Sequence, residues 1–476
     1  MLINPYVVLF HTINFNYLYD LNKKELVQIS EELHQYLEDM IAGNKDLSQN
    51  AMIYHEAEEL IEKGLLSNNR VKVIEHPLSQ IADKVLDRRI QKITLQLTQN
   101  CNFRCKYCHY TANDGEQRTH SNKKMSFSLA KRSVDFLKKH SIDSPEVYVG
   151  FYGGEPLLEF QMIKDIVKYA EKEFEGKKVS FSISTNGTLL TAEIMRYMEE
   201  HNFDVLVSLD GPKELHDRNR VFLNGEGTFE YVIDKLKYMF QYFPQLFSRM
   251  QVNVVIDPST NYWEYESIFS KYQFLKEANF SSSVIDDSTS IEKNIYADDF
   301  YAKTYYDDFL TNLVLLNRVD TDDLSPLLKQ KDSGMKRILE EIQKKRDEMP
   351  EKWVPGGPCM PGELRMMITV EGNFVVCERV NEISECMIIG DIERGIVLPK
   401  VKALLNVAQI TKEECINCIA FDSCTLCAKF ADDHGTLSKE TRESNCDKQI
   451  NLFRYMLEKA ALMQEASELY NEISSV

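Results

Sequence analysis

At 476 residues, 43% hydrophobic and 27% charged, the chain has the composition of a globular protein with room for several domains. A net charge of −18 disfavours a nucleic-acid or anionic-membrane partner, and no run of eighteen apolar residues offers a membrane span. The opening Met1-Leu-Ile-Asn-Pro lacks the basic and apolar stretches of a signal peptide, so a cytoplasmic location is expected, where eleven cysteines point to metal rather than to disulfides.

The first 88 residues read as a small α+β unit. Val7–Phe10 and Leu26–Ile29 have strand character, with a turn at Leu21–Lys24. Ser30 is placed to cap a helix carrying Leu33, Tyr36, Leu37 and Met40, with Glu31 and Glu32 in its first turn. A second helix carries Ile53, Ala57, Leu60 and Ile61, and Val71–Ile74 returns to strand. The mixture predicts a winged-helix-like module.

From about Lys92 the pattern changes. Strands at Ile93–Leu97, Val147–Phe151, Val179–Ser184, Asp204–Leu209 and Gln251–Ile256 alternate with helical stretches such as Met162–Phe174 and Thr228–Phe240. Repeated β-α units predict an α/β fold with a parallel sheet, open or curled into a barrel, and place the chemistry at the C-terminal ends of the strands. Residues 290–350 are helical and charged, Pro355-Gly-Gly-Pro358 marks a boundary, and Leu452–Tyr470 reads as a closing helix.

Three cysteines lie within Cys101–Cys108 and the other eight between Cys359 and Cys446, a clustering that inert buried thiols would not show. Cys101-x3-Cys105-x2-Cys108 puts three thiolates on one tight loop after a strand. On a four-iron cubane, three thiolates leave one iron free for a small molecule. A zinc knuckle completed by His109 is the alternative. The second group runs Cys359-x12-Gly372-x4-Cys377, then Cys415-x2-Cys418-x5-Cys424-x2-Cys427, then Cys446. Read alone, its paired CxxC motifs suit zinc as well as iron–sulfur.

The first motif, with the aromatic Tyr107 before its last cysteine, resembles the radical S-adenosylmethionine (SAM) superfamily. The resemblance implies that SAM chelates the open iron and is cleaved reductively to a 5′-deoxyadenosyl radical. Three further segments follow in the family's order. Gly153-Gly154-Glu155-Pro156 matches the segment whose backbone pairs with the methionyl amine. Ser184-Thr185-Asn186-Gly187 carries groups suited to the ribose. Ser208-Leu-Asp210-Gly-Pro212…His216-Asp217…Arg220 matches the segment that brings an arginine near the SAM carboxylate, with Arg218 as the neighbouring alternative. The implied cofactor contacts are Tyr107, Gly153, Gly154, Glu155, Ser184, Asn186, Ser208 and Arg220.

The second cysteine group resembles the SPASM extension of radical SAM peptide- and protein-modifying enzymes, departing from it at Cys424-x2-Cys427, where the pattern has three intervening residues. Carried over, Cys415, Cys418, Cys424 and Cys446 hold an outer auxiliary 4Fe-4S cluster, and Cys359, Cys377 and Cys427 an inner one. The inner cluster's fourth site is open unless Cys386 fills it. SAM and three 4Fe-4S clusters are thus the implied cofactors, the auxiliary pair serving to take up an electron or to bind a substrate thiol.

The runs Cys377-Glu-Arg-Val-Asn-Glu382…Ile389-Gly-Asp-Ile392 and Cys415-Ile-Asn-Cys418…Cys424-Thr-Leu-Cys427 resemble maturases that install thioether links in ribosomally made cysteine-rich precursor peptides. This implies a partial (β/α)6 TIM-like barrel over 89–310, preceded at 1–88 by a winged-helix-like domain that binds the precursor's leader by strand addition. A helical bridge (311–355), a SPASM domain (356–450) and a C-terminal helix (451–476) follow. A flavodoxin or ferredoxin is the expected electron donor. Carbon–carbon crosslinking, epimerisation or formylglycine formation are the alternative reactions, and a non-enzymatic zinc protein the alternative class. The sequence leaves catalytic groups such as a general base unassigned.

Overall fold

In the computed structural model of the chain, residues 4–43, 51–108, 120–287, 293–356 and 358–474 are described. His109 lies outside them.

The chain opens on an antiparallel sheet of β1 (Val7–His11), β2 (Asn16–Asp20) and β3 (Glu25–Ile29), in that order. Alternation along β2 assigns its two faces. Leu18 packs with Val7, Leu33, Ile53 and Leu60 under α1 (Glu31–Ile41) and α2 (Ala51–Glu62). Tyr17 and Tyr19 face the other way, with Tyr6, Val8 and Phe10, into a core shared with the far end of the chain. Ser30 caps α1, accepting from Leu33 N at 3.1 Å. The strand expected at Val71–Ile74 is the short β4 (Val73–Ile74), paired in parallel with Lys352 and Trp353.

After α3 (Ala82–Arg88) the β-α alternation begins: β5 (Lys92–Thr98), α4 (Phe127–His140), β6 (Glu146–Gly153), α5 (Phe160–Glu173), β7 (Lys178–Thr185), α6 (Ala192–Glu200) and β8 (Phe203–Ser208). It continues through α7 (Lys213–Asn219), α8 (Phe229–Tyr242), α9 (Pro244–Ser248), β9 (Met250–Ile256), α10 (Ser267–Lys271) and β10 (Asn279–Val284). Strands β5 to β10 are all parallel and ordered as in sequence. The five expected strands lie here. The sixth, β10, escapes the sequence reading because Asn279-Phe-Ser-Ser-Ser shows almost no apolar pattern.

Along β5, Ile93, Leu95 and Leu97 are buried under the helices, while Lys92, Thr94 and Gln96 point inward. In β7 the same alternation sets Phe181 and Ile183 against Ser182 and Ser184. A polar inner face does not fill itself as an apolar barrel core does, and here it surrounds a cavity of about 1220 Å³.

Helices α11 (Asp298–Leu315) and α12 (Pro326–Gln343) follow. Gln330 of α12 accepts from both Ser282 N and Ser282 Oγ, covering the outer edge of β10. After β11 (Lys352–Trp353), the cysteine-rich segment enters the barrel's own sheet. There β12 (Met366–Ile368) lies parallel to β5, and β13 (Asn373–Val375), β14 (Ile388–Asp391) and β15 (Gly395–Ile396) extend it antiparallel to ten strands. The chain ends through α13 (Leu398–Leu405), α14 (Lys412–Cys415), α15 (Lys439–Glu443) and α16 (Cys446–Ser474). Helix α16 returns to the N-terminal sheet: Phe453 meets Tyr19 edge-on, and Glu465 accepts from Thr12 Oγ1, Asn14 Nδ2 and Tyr17 OH. Among the described residues no helix is long and apolar enough to cross a membrane.

Candidate active site

Strand β5 delivers the loop carrying Cys101, Cys105 and Cys108 to the C-terminal rim of the barrel. Beside it β6 ends in glycines because nothing larger fits. A Cβ on Gly153 (φ +144°) would lie 2.3 Å from Thr98 O, and one on Gly154 2.2 Å from Asn100 O. Without them, Gly154 N donates to Thr98 O and Glu155 N to Asn100 O, both at 2.9 Å.

Glu155, nominated as a cofactor contact, turns into the protein instead. Its carboxylate accepts from Leu157 N (3.0 Å), Thr185 Oγ1 (2.8 Å) and Asn186 N (2.7 Å), joining the ends of β6 and β7. Burial pushes its carboxyl up to about 7. Asn186 Nδ2 donates to Asn102 Oδ1 at 2.8 Å and sits 3.9 Å from Cys101 Sγ, and Asn102 Nδ2 reaches Thr188 Oγ1 at 3.0 Å. Three strand ends are thereby strapped to one cysteine loop. Burial also pushes the Cys101 and Cys105 thiols up to about 12, so binding iron must displace those protons.

The fourth motif lies across this loop. Arg220 Nη1 donates to Tyr107 OH at 2.6 Å and lies 3.6 Å from Asp210 Oδ2, with the guanidinium carbon 5.9 Å from the Phe103 and Tyr107 rings. The Tyr107 hydroxyl in turn donates to Asp210. Behind them, His216 Nδ1 accepts from Asp210 N (3.1 Å), so Nε2 carries the proton toward Thr228 Oγ1 (2.9 Å), which donates to Arg220 O (3.0 Å). Burial holds His216 well below the usual histidine range, as this neutral tautomer requires.

Arg218, by contrast, is exposed and faces Asp257 and Ser259. Arg220 Nε is buried and has no hydrogen-bond partner among the described residues. Such a donor costs free energy until a ligand fills it. Three thiols on one loop and a spare buried donor close by fit a three-thiolate cluster with an anionic small molecule beside it. Ser184 and Ser208 end up half-buried near the ends of β7 and β8; Ser184 lines the cavity, and Ser208 pairs through its backbone with Asn253.

The later cysteines form two neighbouring groups that meet at Cys427, which acts on Cys424 of the first as well as on the second. Burial first, then Cys424, Cys415 and Cys446, push Cys418 up to about 11, and Cys415 and Cys424 act likewise on Cys446. Burial also raises Cys377 to about 11, with Glu378 and Cys427 adding, and Cys427 acts on Cys359 too. Cys386 has other company: its Sγ donates to Asp432 Oδ1 at 3.2 Å and lies 3.3 Å from Ser384 Oγ. Among the described residues no three Cys, His, Asp or Glu side chains crowd one point as a mononuclear ion would need. A cubane takes one thiolate per iron and so asks for a wider frame.

Not all of the cysteines lie at the C-terminal ends of the strands. Met367 pairs with Thr94 on one side and Val375 on the other, so two residues further on Cys377 comes level with Arg365 and Lys92 at the N-terminal rim. Arg365 is ion-paired with Glu378, and both line the cavity with Lys92, Thr94, Tyr152 and Ser184. The length of β5, roughly 20 Å at about 3.3 Å per residue, separates this rim from the Cys101 loop.

Sequence reasoning missed the link between the two regions. Glu382 is buried, with Gln96 Nε2 donating to its Oε2 at 2.6 Å and Gln99 Nε2 to its Oε1 at 3.2 Å. Gln96 is 286 positions away in the chain, so no local motif announces the pair.

Residues 95–271 match the family model for the radical SAM superfamily. Among curated proteins, the cysteine-type anaerobic sulfatase-maturating enzyme of Clostridium novyi (strain NT) is 28% identical over 191 residues, 38% of this chain and 47% of that protein. The radical SAM cyclopropyl synthase TigE of Paramaledivibacter caminithermalis is 25% identical over 240 residues, 48% of this chain and 46% of that protein. The chain thus spans about half the length of these curated relatives. A solved structure of native anSMEcpe with bound AdoMet superposes with a TM-score of 0.57 at 19% identity, covering 78% of this chain and 99% of that one. The same protein with AdoMet and a Cp18Cys peptide gives 0.56. These likenesses establish the α/β radical SAM fold with its parallel sheet, and the family match sets aside the non-enzymatic zinc alternative. The cofactors that go with the matched domain are S-adenosylmethionine and an iron–sulfur cluster. The domain spanning residues 95–271 is a radical SAM domain.

Proposed function

We propose that this enzyme installs thioether crosslinks in a ribosomally made, cysteine-rich precursor peptide. The observation that carries the reading is the polar cavity, whose lining runs from Tyr152 and Ser184, near the strand ends that face the Cys101 loop, to Arg365 and Glu378 beside Cys377. When bound, SAM and the clusters supply a carbon-centred oxidising radical at one end and an electron acceptor at the other. Cys101, Cys105 and Cys108 would hold the SAM-binding cluster, with Arg220 and the Gly153-Gly154 turn beside the cofactor. Cys359, Cys377 and Cys427 would hold the inner auxiliary cluster, and Cys415, Cys418, Cys424 and Cys446 the outer. Cys386, engaged with Asp432, is left out of both.

For each link the peptide loses a hydrogen atom from carbon, a proton from sulfur and one electron, and gains a C–S bond. The N-terminal sheet would hold the leader by adding a strand at β3, an edge that pairs with β2 alone among the described residues. A flavodoxin or ferredoxin would supply the priming electron.

The test incubates reconstituted enzyme, SAM and dithionite with a cysteine-rich peptide encoded beside this gene. Each link should lower the mass by about two hydrogens, and the linked sulfur should resist reduction and alkylation. Full alkylation of every cysteine in a modified product overturns the thioether reading. The second reading, favoured by the likeness to sulfatase-maturating enzymes, is formylglycine formation. It is supported instead if a hydrazide traps an aldehyde on the product. Replacing Cys101, Cys105 and Cys108 with Ala should abolish SAM cleavage under either reading.

A further inference from the structure

A crosslink needs a thiol and a C–H bond, and neither explains the charged, hydroxyl-lined patch low in the barrel. Lys92 and Thr94 on β5 and Ser182 on β7 surround Gly150 on the intervening β6, and all four line the cavity. A Cβ built on Gly150 would meet Thr94 Oγ1 at 3.0 Å, Ser182 Oγ at 3.2 Å and Lys92 Cε at 3.4 Å. Gly150 is not in the left-handed region, so its missing side chain provides space rather than backbone freedom.

Among the described residues, no hydrogen bond or ion pair within 4 Å involves the Lys92 ammonium or either hydroxyl. The nearby acids act on the ammonium through space and make no contact with it: Glu378 is ion-paired with Arg365, and Asp204 is exposed at the rim. Three donors therefore face one space without a hydrogen bond between them and the protein, the ammonium feeling Glu378 and Asp204 only through space. An ammonium on a half-buried stem keeps its charge most cheaply beside a counter-ion. The patch is at the lower end of β5, far from Arg220 and the cysteine loop, so it is distinct from the place nominated for the SAM carboxylate.

We propose that Lys92, Thr94 and Ser182 form a subsite for a carboxylate carried by the peptide substrate. Gly150 leaves room for the anion, the ammonium neutralises it, and the two hydroxyls donate to its oxygens. The subsite fixes which part of the peptide lies between the two thiol sets. It rests on the peptide-modifying reading above, but not on the kind of bond formed.

The test measures binding to the reconstituted holoenzyme by ligand-observed NMR titration. The side-chain arm compares N-acetylaspartate N-methylamide with its asparagine counterpart. The chain-terminus arm compares N-acetylglycine with N-acetylglycinamide. At least one carboxylate should bind roughly tenfold or more tighter than its amide, as hydrogen bonds to charged groups allow. The arm that shows the preference identifies the source of the carboxylate. Lys92→Met should bring the ratio near one, Lys92→Arg should retain it, and Ser182→Ala should reduce it several-fold. If Lys92→Met fails to fold, Ser182→Ala and Lys92→Arg decide the question. Equal binding of acid and amide in both arms, or an unchanged ratio in Lys92→Met or Ser182→Ala, overturns the subsite. The ratio is independent of the crosslink assay, so a product without a thioether removes the function proposed above and leaves this result standing.

Discussion

Gly154→Ala tests whether the cysteine loop is held by a backbone fit. The new Cβ would lie 2.2 Å from Asn100 O, 2.5 Å from Asn100 C and 3.0 Å from Cys101 Cβ, so no flexible side chain can yield. Relief requires the loop to withdraw from β6, breaking Gly154 N→Thr98 O and Glu155 N→Asn100 O. Two buried backbone bonds at about 1 kcal/mol each, with about 1–3 kcal/mol for overpacking, give a loss of about 3–5 kcal/mol. The cost falls on the segment that carries three cluster thiols. The assays are iron content after reconstitution, SAM cleavage under dithionite, and urea unfolding. On the proposed reading iron should fall by about four of about twelve per chain, and SAM cleavage should be lost, while the later cysteines keep their share. Gly334→Ala is the control: its Cβ meets nothing within 4 Å in α12, and it should gain up to about 1 kcal/mol from helix propensity. Full iron and undiminished SAM cleavage in Gly154→Ala would refute the argument.

Arg442 is buried among the outer cysteines, donating to Leu426 O at 2.7 Å and Thr411 Oγ1 at 3.2 Å; burial pushes the Cys424 and Cys446 thiols up, and the Arg442 charge offsets part of that rise. Arg442→Met should cost about 1–3 kcal/mol for the unpaired carbonyl alone, and quantified EPR should show the outer cluster lost first. Glu465→Ala removes the acceptor of Thr12, Asn14 and Tyr17 and should cost about 2 kcal/mol, read as faster hydrogen exchange in residues 12–20 with barrel amides unchanged. Glu155, raised from 4.5 to about 7 by burial, binds its proton more tightly folded than unfolded. Its contribution to the stability of the cluster-free protein therefore falls as pH rises from 4.5 to about 7, and Glu155→Gln should flatten that part of the urea-unfolding profile relative to wild type.

Much of the barrel was legible because its strands alternate cleanly. Val179-Ser-Phe-Ser-Ile-Ser184 announces both the helix-covered face and the polar interior. The cysteine loop and the Gly153-Gly154 turn were equally readable, since metal chemistry and close backbone approach each leave a local signature. Other features have no such signature. The Glu155 side chain is one: its two oxygens are taken by Leu157, Thr185 and Asn186, a fact set by the neighbouring strand. The choice between Arg218 and Arg220 depends on which face of a short helical turn meets the loop. Cys377 was brought to the N-terminal rim only through the pairing of β12 with β5, across some 270 residues that no periodicity spans.

The same long-range logic bears on the N-terminal sheet, which the sequence presents as a detachable module. Tyr6 OH donates to Cys418 O at 2.7 Å, and Arg346 ties Asp422 to the carbonyl oxygens of Leu21 and Asn22. Tyr6, Val8 and Tyr17 share one core with Cys415, Ala420 and Phe421. One face of the sheet is therefore a wall of the outer cysteine loop, and removing residues 1–88 would expose that core as well as remove a binding edge. A sheet fixed in this way holds its edge strand at a constant distance from the cavity. On the proposed reading, a peptide anchored at β3 then reaches the thiols only through an extended stretch, at about 3.3–3.6 Å per residue. The spacing between leader and modified residue becomes a geometric filter, acting together with the Lys92 subsite, rather than a consequence of affinity alone.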